Sequence, residues 1–107
     1  MIIYLSGPIT DVKDYYRTFN EAESQLIKKG FSKIINPAKM ADVLHIGATY
    51  EQFMQIDLEL LSMAECICLL PGWKESKGCN REWGFAYAKD LIIVELEDLL
   101  NGKTEAN

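Results

Sequence analysis

Apolar and polar positions along this chain follow two different periods, and the two periods alternate. Short, mainly apolar runs are typical of buried β-strands, and four occur, at residues 2–6, 32–35, 66–70 and 91–94. Between these runs, apolar residues recur every three or four positions, which predicts amphipathic helices. The pattern therefore predicts a chain in which strands and helices alternate.

Two helices are clear from this spacing, one from about residue 11 or 13 to 29 and one over residues 50–64. Gly30 follows the first as a C-terminal cap, and Thr49 precedes the second as an N-cap. The apolar stripes are Tyr15, Phe19, Ala22 and Leu26 in the first helix and Phe53, Ile56, Leu60 and Met63 in the second.

Three further segments are shorter. We expect a helix over residues 79–89 and a short last helix over 95–100. Residues 38–49 are ambiguous between a short helix and a loop, and they contain His45, the single histidine of the chain. No Ser or Cys is placed to form a catalytic triad with His45, so we interpret it as a loop residue.

Strands that alternate with helices indicate βαβ units, which give a parallel sheet with right-handed crossovers and helices on both faces. We therefore expect an α/β fold, a small doubly wound, Rossmann- or flavodoxin-like parallel sheet of four to five strands. The length of 107 residues suits one domain. We assign it to residues 1–100, with 101–107 as a frayed C-terminal tail.

The charge balance is acidic, with 11 Lys and Arg residues against 16 Asp and Glu residues and a net charge of -5. Nucleic-acid backbones are bound by clustered Lys and Arg, so we expect no nucleic-acid partner. The apolar run at residues 1–5 has no basic flank and stops at Gly7-Pro8, unlike a signal peptide or a membrane span. We therefore expect a cytoplasmic protein with no membrane partner.

The cysteines are Cys66, Cys68 and Cys79, an odd number that favours reduced thiols. A Cys-x-Cys pair and one histidine do not make a convincing zinc site. Neither a Walker A motif nor a G-x-G-x-x-G motif is present. The sequence therefore predicts no metal and no cofactor.

Two carboxylates stand on the apolar sides of helices. Asp57 falls within the apolar arc of its helix, where a carboxylate lowers stability unless it has partners or a function. Glu82 lies one turn into its helix, on the side expected to face the sheet. The alternatives are that Asp57 caps a loop or pairs with a Lys, and that Glu82 is a first-turn acid favoured by the helix dipole. Together, the two acids suit cleavage of a glycosidic bond.

Ligands of parallel sheets bind beyond the carboxyl ends of the strands, which singles out three loops, at residues 6–11, 36–47 and 71–78. The first and third precede helix N-termini, where free N–H groups bind anions or sugar hydroxyls, although ordinary turns have the same composition. Tyr4 could reach this edge or belong to the core. Trp73 could stack on a base or pack at an interface.

The motifs taken in order closely resemble the nucleoside 2-deoxyribosyltransferase superfamily. The match covers about residues 1–94, and the nearest branch is that of small phage and prophage proteins, with the 2'-deoxynucleoside 5'-phosphate N-hydrolases similar. The motifs are Tyr4-Leu5-Ser6-Gly7-Pro8, Asn36-Pro37, Asp57 with the run 64–73, and Ser76-x-Gly78-x-x-x-Glu82-x-Gly84-x-Ala86.

The resemblance implies roles for these residues. Glu82 would be the nucleophile that forms a covalent deoxyribosyl intermediate, and Asp57 would act as acid and base at the nucleobase or orient the sugar. Tyr4 would hydrogen-bond at the catalytic carboxylate. The implied substrate-binding residues are Ser6, Gly7, Pro8, Ile9, Ser76 and Gly78.

The implied activity is N-glycosidic cleavage or deoxyribosyl transfer on a 2'-deoxynucleoside or its 5'-monophosphate, by a hydrolase or a transferase. The first loop of the hydrolases carries an arginine where this chain has Pro8-Ile9-Thr10. An alternative is therefore a non-catalytic nucleotide-binding or sensing module of the same fold. Leu58 and Met54, which lie beside the apolar stripe, and the dimers of the superfamily predict a homodimer or higher homo-oligomer.

Overall fold

A parallel sheet forms the centre of the molecule. The computed structural model describes residues 1–44 and 47–103, and within them the sheet has four strands in the order β2-β1-β3-β4. The strands are β1 (Ile2–Ser6), β2 (Lys33–Ile35), β3 (Cys66–Leu69) and β4 (Ile92–Glu95). This sheet confirms the predicted α/β fold, and each strand lies within one residue of its predicted bounds.

Helices cover both faces of the sheet, also as predicted. They are α1 (Tyr15–Lys28), α2 (Ala38–Leu44), α3 (Tyr50–Ser62), α4 (Lys77–Ala88) and α5 (Leu96–Leu100). Because side chains alternate along a strand, Ile3 and Leu5 face the layer of α1, α2 and α5, whereas Tyr4 faces α3 and α4. Each face has its own buried apolar cluster.

The two helices that cover the Tyr4 face begin at side-chain caps. Thr49 accepts a hydrogen bond from the Gln52 amide, and the Gln52 side chain accepts one from the Thr49 amide, a capping box that confirms the predicted N-cap. Ser76 accepts from the Cys79 amide at 3.2 Å. The helix α4 therefore starts two residues earlier than predicted.

Two other segments refine the prediction. The helix α1 begins at Tyr15, because Asp11 has a positive φ of 62° and the Val12 amide bonds to the Ile9 carbonyl in a turn. The ambiguous segment contains α2, whereas His45 lies outside the described residues. The same holds for residues 104–107 of the predicted tail. No helix in the described part of the chain is long and apolar enough to cross a membrane.

Candidate active site

The carboxylate of Glu82 lies beneath the end of β1 and is only 5% exposed. Both of its oxygens accept hydrogen bonds from side chains of that strand. The Tyr4 hydroxyl donates to Oε2 at 2.5 Å, and the Ser6 hydroxyl donates to Oε1 at 2.6 Å. Glu82 is therefore a buried acid with two buried hydrogen-bond donors. The alternative of an ordinary first-turn acid does not account for these contacts.

Local structure explains how these three side chains meet. Tyr4 and Ser6 are alternate residues of β1, so they point to the same face of the sheet. The cap at Ser76 fixes the start of α4, and Glu82 follows about one and a half turns later. At Gly78, a Cβ atom would lie 3.1 Å from the Met54 Cε atom, so the glycine allows α3 and α4 to approach closely.

Burial and hydrogen bonding act on Glu82 in opposite directions. Loss of solvent raises the pKa of Glu82, while the hydrogen bonds from Ser6 and Tyr4 lower it, and burial prevails. Burial, assisted by the Glu82 charge, also raises the pKa of Tyr4 well above its usual range. Tyr4 therefore stays protonated at neutral pH and remains a hydrogen-bond donor.

Asp57 faces Glu82 from α3. The carboxyl is partly buried, and desolvation together with the negative charge of Glu82 raises the pKa of Asp57 to about 7. Within residues 1–44 and 47–103, no hydrogen bond or ion pair to the Asp57 carboxyl is found. The alternatives of a loop cap and of a Lys partner therefore have no support, and Asp57 can hold or release a proton near neutral pH.

A cavity of about 430 Å³ opens between these two acids and the first loop. Its walls contain both carboxylates and four of the predicted binding residues. Those four are Gly7, Ile9, Ser76 and Gly78. The sequence thus identified residues from three separate segments that the fold brings to one cavity.

The remaining predicted residues lie around this cavity. Tyr4 and Ser6 are fully buried behind Glu82, where the Ser6 hydroxyl is used by the carboxylate. Pro8 lines a neighbouring groove of about 550 Å³, which also contains Ser76, Lys77 and Gly78. Their predicted contacts with substrate stay predictions.

Four aromatic side chains also line the cavity, and the sequence analysis did not assign them to a site. They are Tyr15, Phe19, Tyr50 and Phe53. Three of them belong to the apolar stripes of helices. Helical periodicity assigns such a stripe to the core and does not show which of its residues border a cavity. Tyr50 is held at the rim by the Arg81 guanidinium, which lies 5.7 Å from its ring and pairs with Glu51 through both nitrogens.

Trp73 belongs to a different hollow. Its indole N–H donates to the Glu95 carboxylate at 2.9 Å, beside a cavity of about 560 Å³ at the ends of β3 and β4. Although this hollow is larger, it contains neither Asp57 nor Glu82. In the described part of the chain, no group of three His, Cys, Asp or Glu side chains is placed to hold a metal ion.

A family model described as a domain of unknown function, DUF4406, covers residues 1–95. This range includes all four strands of the described sheet and every residue that lines the carboxylate cavity. No curated protein matches the chain.

Proposed function

This chain belongs to the DUF4406 family, and we propose that it cleaves the N-glycosidic bond of a 2'-deoxynucleoside or of a 2'-deoxynucleoside 5'-monophosphate. The single observation that carries the proposal is the buried Glu82 carboxylate that faces a partly buried Asp57 across a cavity. Two acids with different environments can divide the roles of nucleophile and proton donor. The resemblance of the motifs to deoxyribosyltransferases supports the same assignment.

In the first step, a Glu82 carboxylate oxygen attacks C1' of the deoxyribose and forms an ester bond. The bond between C1' and the base nitrogen breaks, and its electron pair stays on the base. The protonated form of Asp57 then gives its proton to the base, which leaves neutral. A pKa of about 7 leaves a large share of Asp57 protonated at neutral pH.

In the second step, the acceptor attacks C1' and the ester bond to Glu82 breaks, so the carboxylate is restored. The Asp57 carboxylate takes the proton that the acceptor releases. With water as acceptor the enzyme is a hydrolase, and with a second base it is a transferase. Asp57 thus returns to its starting form in either case.

The dimensions and chemistry of the cavity support a nucleoside-sized substrate. A volume of about 430 Å³ lies in the usual range for small-molecule sites. Tyr15 and Phe53, which are partly exposed, offer aromatic surface for a planar base. The neighbouring groove, with Lys77 and the first turn of α4, is where a 5'-phosphate would lie.

A second candidate is a non-catalytic nucleotide-binding or sensing module. The observation that favours it is the pair of hydrogen bonds at Glu82, since hydroxyl donors on both oxygens also stabilise a purely structural carboxylate. Such a module would bind nucleotides without releasing the base.

The experiment that separates the two is incubation of the protein with deoxynucleosides and their monophosphates, with and without a second free base, followed by chromatography. The enzyme releases base, and with a second base it forms a new nucleoside if it is a transferase. Calorimetry on the same panel detects a binding module as heat of binding without base release. Absence of both base release and binding would contradict both functions.

We also propose that the protein acts in the cytoplasm as a homodimer or higher homo-oligomer. Met54 does not support this part, because it is buried within one chain and lines the cavity. Better support comes from exposed apolar side chains. Met63, which follows α3, is 58% exposed, and Tyr87 of α4, which stacks on Trp83, is 67% exposed.

A further inference from the structure

Ser6 has a place in the site that its position in the first loop does not suggest. Its side chain is fully buried, and its single hydroxyl proton goes to Glu82 Oε1. Its carbonyl accepts from the Leu70 amide at 2.8 Å, so the backbone of this residue is held in the sheet. Both the strand and the hydrogen bond therefore direct the hydroxyl at the carboxylate and away from the cavity.

Carboxylate geometry shows why this arrangement matters. An ionised carboxylate has about four acceptor positions, two on each oxygen. Tyr4 uses one position on Oε2 and Ser6 uses one on Oε1, which fixes the plane of the group at both ends. The unused positions are left for a group in the cavity that Glu82 lines.

We propose that Ser6 is a positioning residue for Glu82, because its hydroxyl holds the carboxylate ionised and in the orientation needed for attack. This inference rests on the proposed function. Because Ser6 is fully buried and its hydroxyl is bonded to Glu82, we expect its effect on the reaction step and not on substrate binding. The titratable groups that act on Glu82 are Tyr4 on β1, Asp57 on α3 and Cys79 on α4.

The test compares Ser6→Ala with Ser6→Thr, which restores the hydroxyl. The carbon of the Glu82 carboxyl is followed by NMR through a pH titration, and kcat and KM for base release are measured in parallel. In Ser6→Ala we expect the titration midpoint to rise by about one pH unit and kcat to fall ~10- to 100-fold, with KM changed less than about two-fold. Ser6→Thr should restore most of the wild-type titration midpoint and most of the wild-type kcat.

An unchanged Glu82 titration midpoint in Ser6→Ala would overturn the proposal. It would also be overturned if kcat fell in Ser6→Thr as much as in Ser6→Ala while the Glu82 midpoint of Ser6→Thr stayed at the wild-type value. If the proposed function is wrong, the result is different. Neither the wild type nor any variant then releases base, while the titration still reports whether Ser6 holds the Glu82 carboxylate.

Discussion

Asp57 differs from Glu82 in having no hydrogen-bond donor on its carboxyl within the described part of the chain. Two hydroxyls offset the burial of Glu82, whereas nothing comparable offsets the desolvation of Asp57. The proton on Asp57 near neutral pH thus results from desolvation that no hydrogen bond from the described residues offsets, and the Glu82 charge adds to this effect. This difference gives two predictions at the level of single residues.

The first concerns stability. Asp57 keeps its proton in the folded state up to about pH 7, whereas in the unfolded chain it loses it near pH 4. Folding therefore becomes less favourable as pH rises from 4 to 8, because the folded state binds more protons. We expect Asp57→Asn to be more stable than wild type at pH 8 by roughly 1 to 2 kcal/mol, a value reduced for solvent screening of the partly exposed carboxyl.

Urea unfolding at pH 4 and pH 8 measures this difference. The difference between the two proteins should be smallest at pH 4, where the wild-type carboxyl is protonated in the folded state and nearly half protonated in the unfolded state. An advantage of Asp57→Asn that is the same at both pH values would contradict the raised pKa of Asp57.

The second concerns the rate of base release. If the acid form of Asp57 protonates the leaving base, the rate at saturating substrate falls as pH rises above about 7. We expect Asp57→Asn to lower kcat ~100- to 10,000-fold and to abolish this alkaline limb. A pH–rate profile for both proteins tests it, and an alkaline limb that survives in Asp57→Asn would assign the proton to another group.

At the level of elements, the site depends on how closely α4 and the first loop approach their neighbours. Gly7 packs tightly, because a Cβ atom there would lie 3.0 Å from Leu70 Cδ1 and 3.2 Å from Phe19 Cε1. Gly84, inside α4, has no neighbouring atom within 4 Å of the corresponding position. The two glycines therefore have opposite effects on stability.

We expect Gly84→Ala to stabilise the protein by about 0.5 to 1 kcal/mol, because alanine is the better helix former. Gly7→Ala should destabilise it by about 1 to 3 kcal/mol through overpacking. Urea unfolding of both variants at one pH gives the comparison. A destabilising Gly84→Ala would contradict the expectation that an added methyl group meets only open space at this position.

Elements also show what the sequence could and could not predict. Periodicity identified Asp57 and Glu82, because each interrupts an apolar helix face, and that signal is local. The contact between Ser6 and Glu82 joins residues 76 positions apart and depends on where α4 crosses β1, which no local pattern contains. The start of α1 was misplaced for a similar reason, since the turn at Asp11 rests on a left-handed backbone that side-chain periodicity does not report.

For the whole molecule, the exposed aromatic surface on α4 bears on self-association. We expect light scattering to give a mass above 12.2 kDa, the mass of one chain, because the stacked Trp83 and Tyr87 leave apolar area exposed to solvent. Tyr87→Lys should shift the mass towards 12.2 kDa. A wild-type protein that is a single chain at all working concentrations would remove this proposal.

The central claim is that Glu82 forms the bond to C1', and the most direct test is base release by Glu82→Gln, which keeps the size of the side chain and removes its charge. We expect kcat for the best substrate of the panel to fall at least ~1,000-fold. The matched control is Glu59→Gln, an exposed acid outside both the cavity of the two carboxylates and the neighbouring groove, which should retain wild-type activity. Undiminished base release by folded Glu82→Gln would contradict the account.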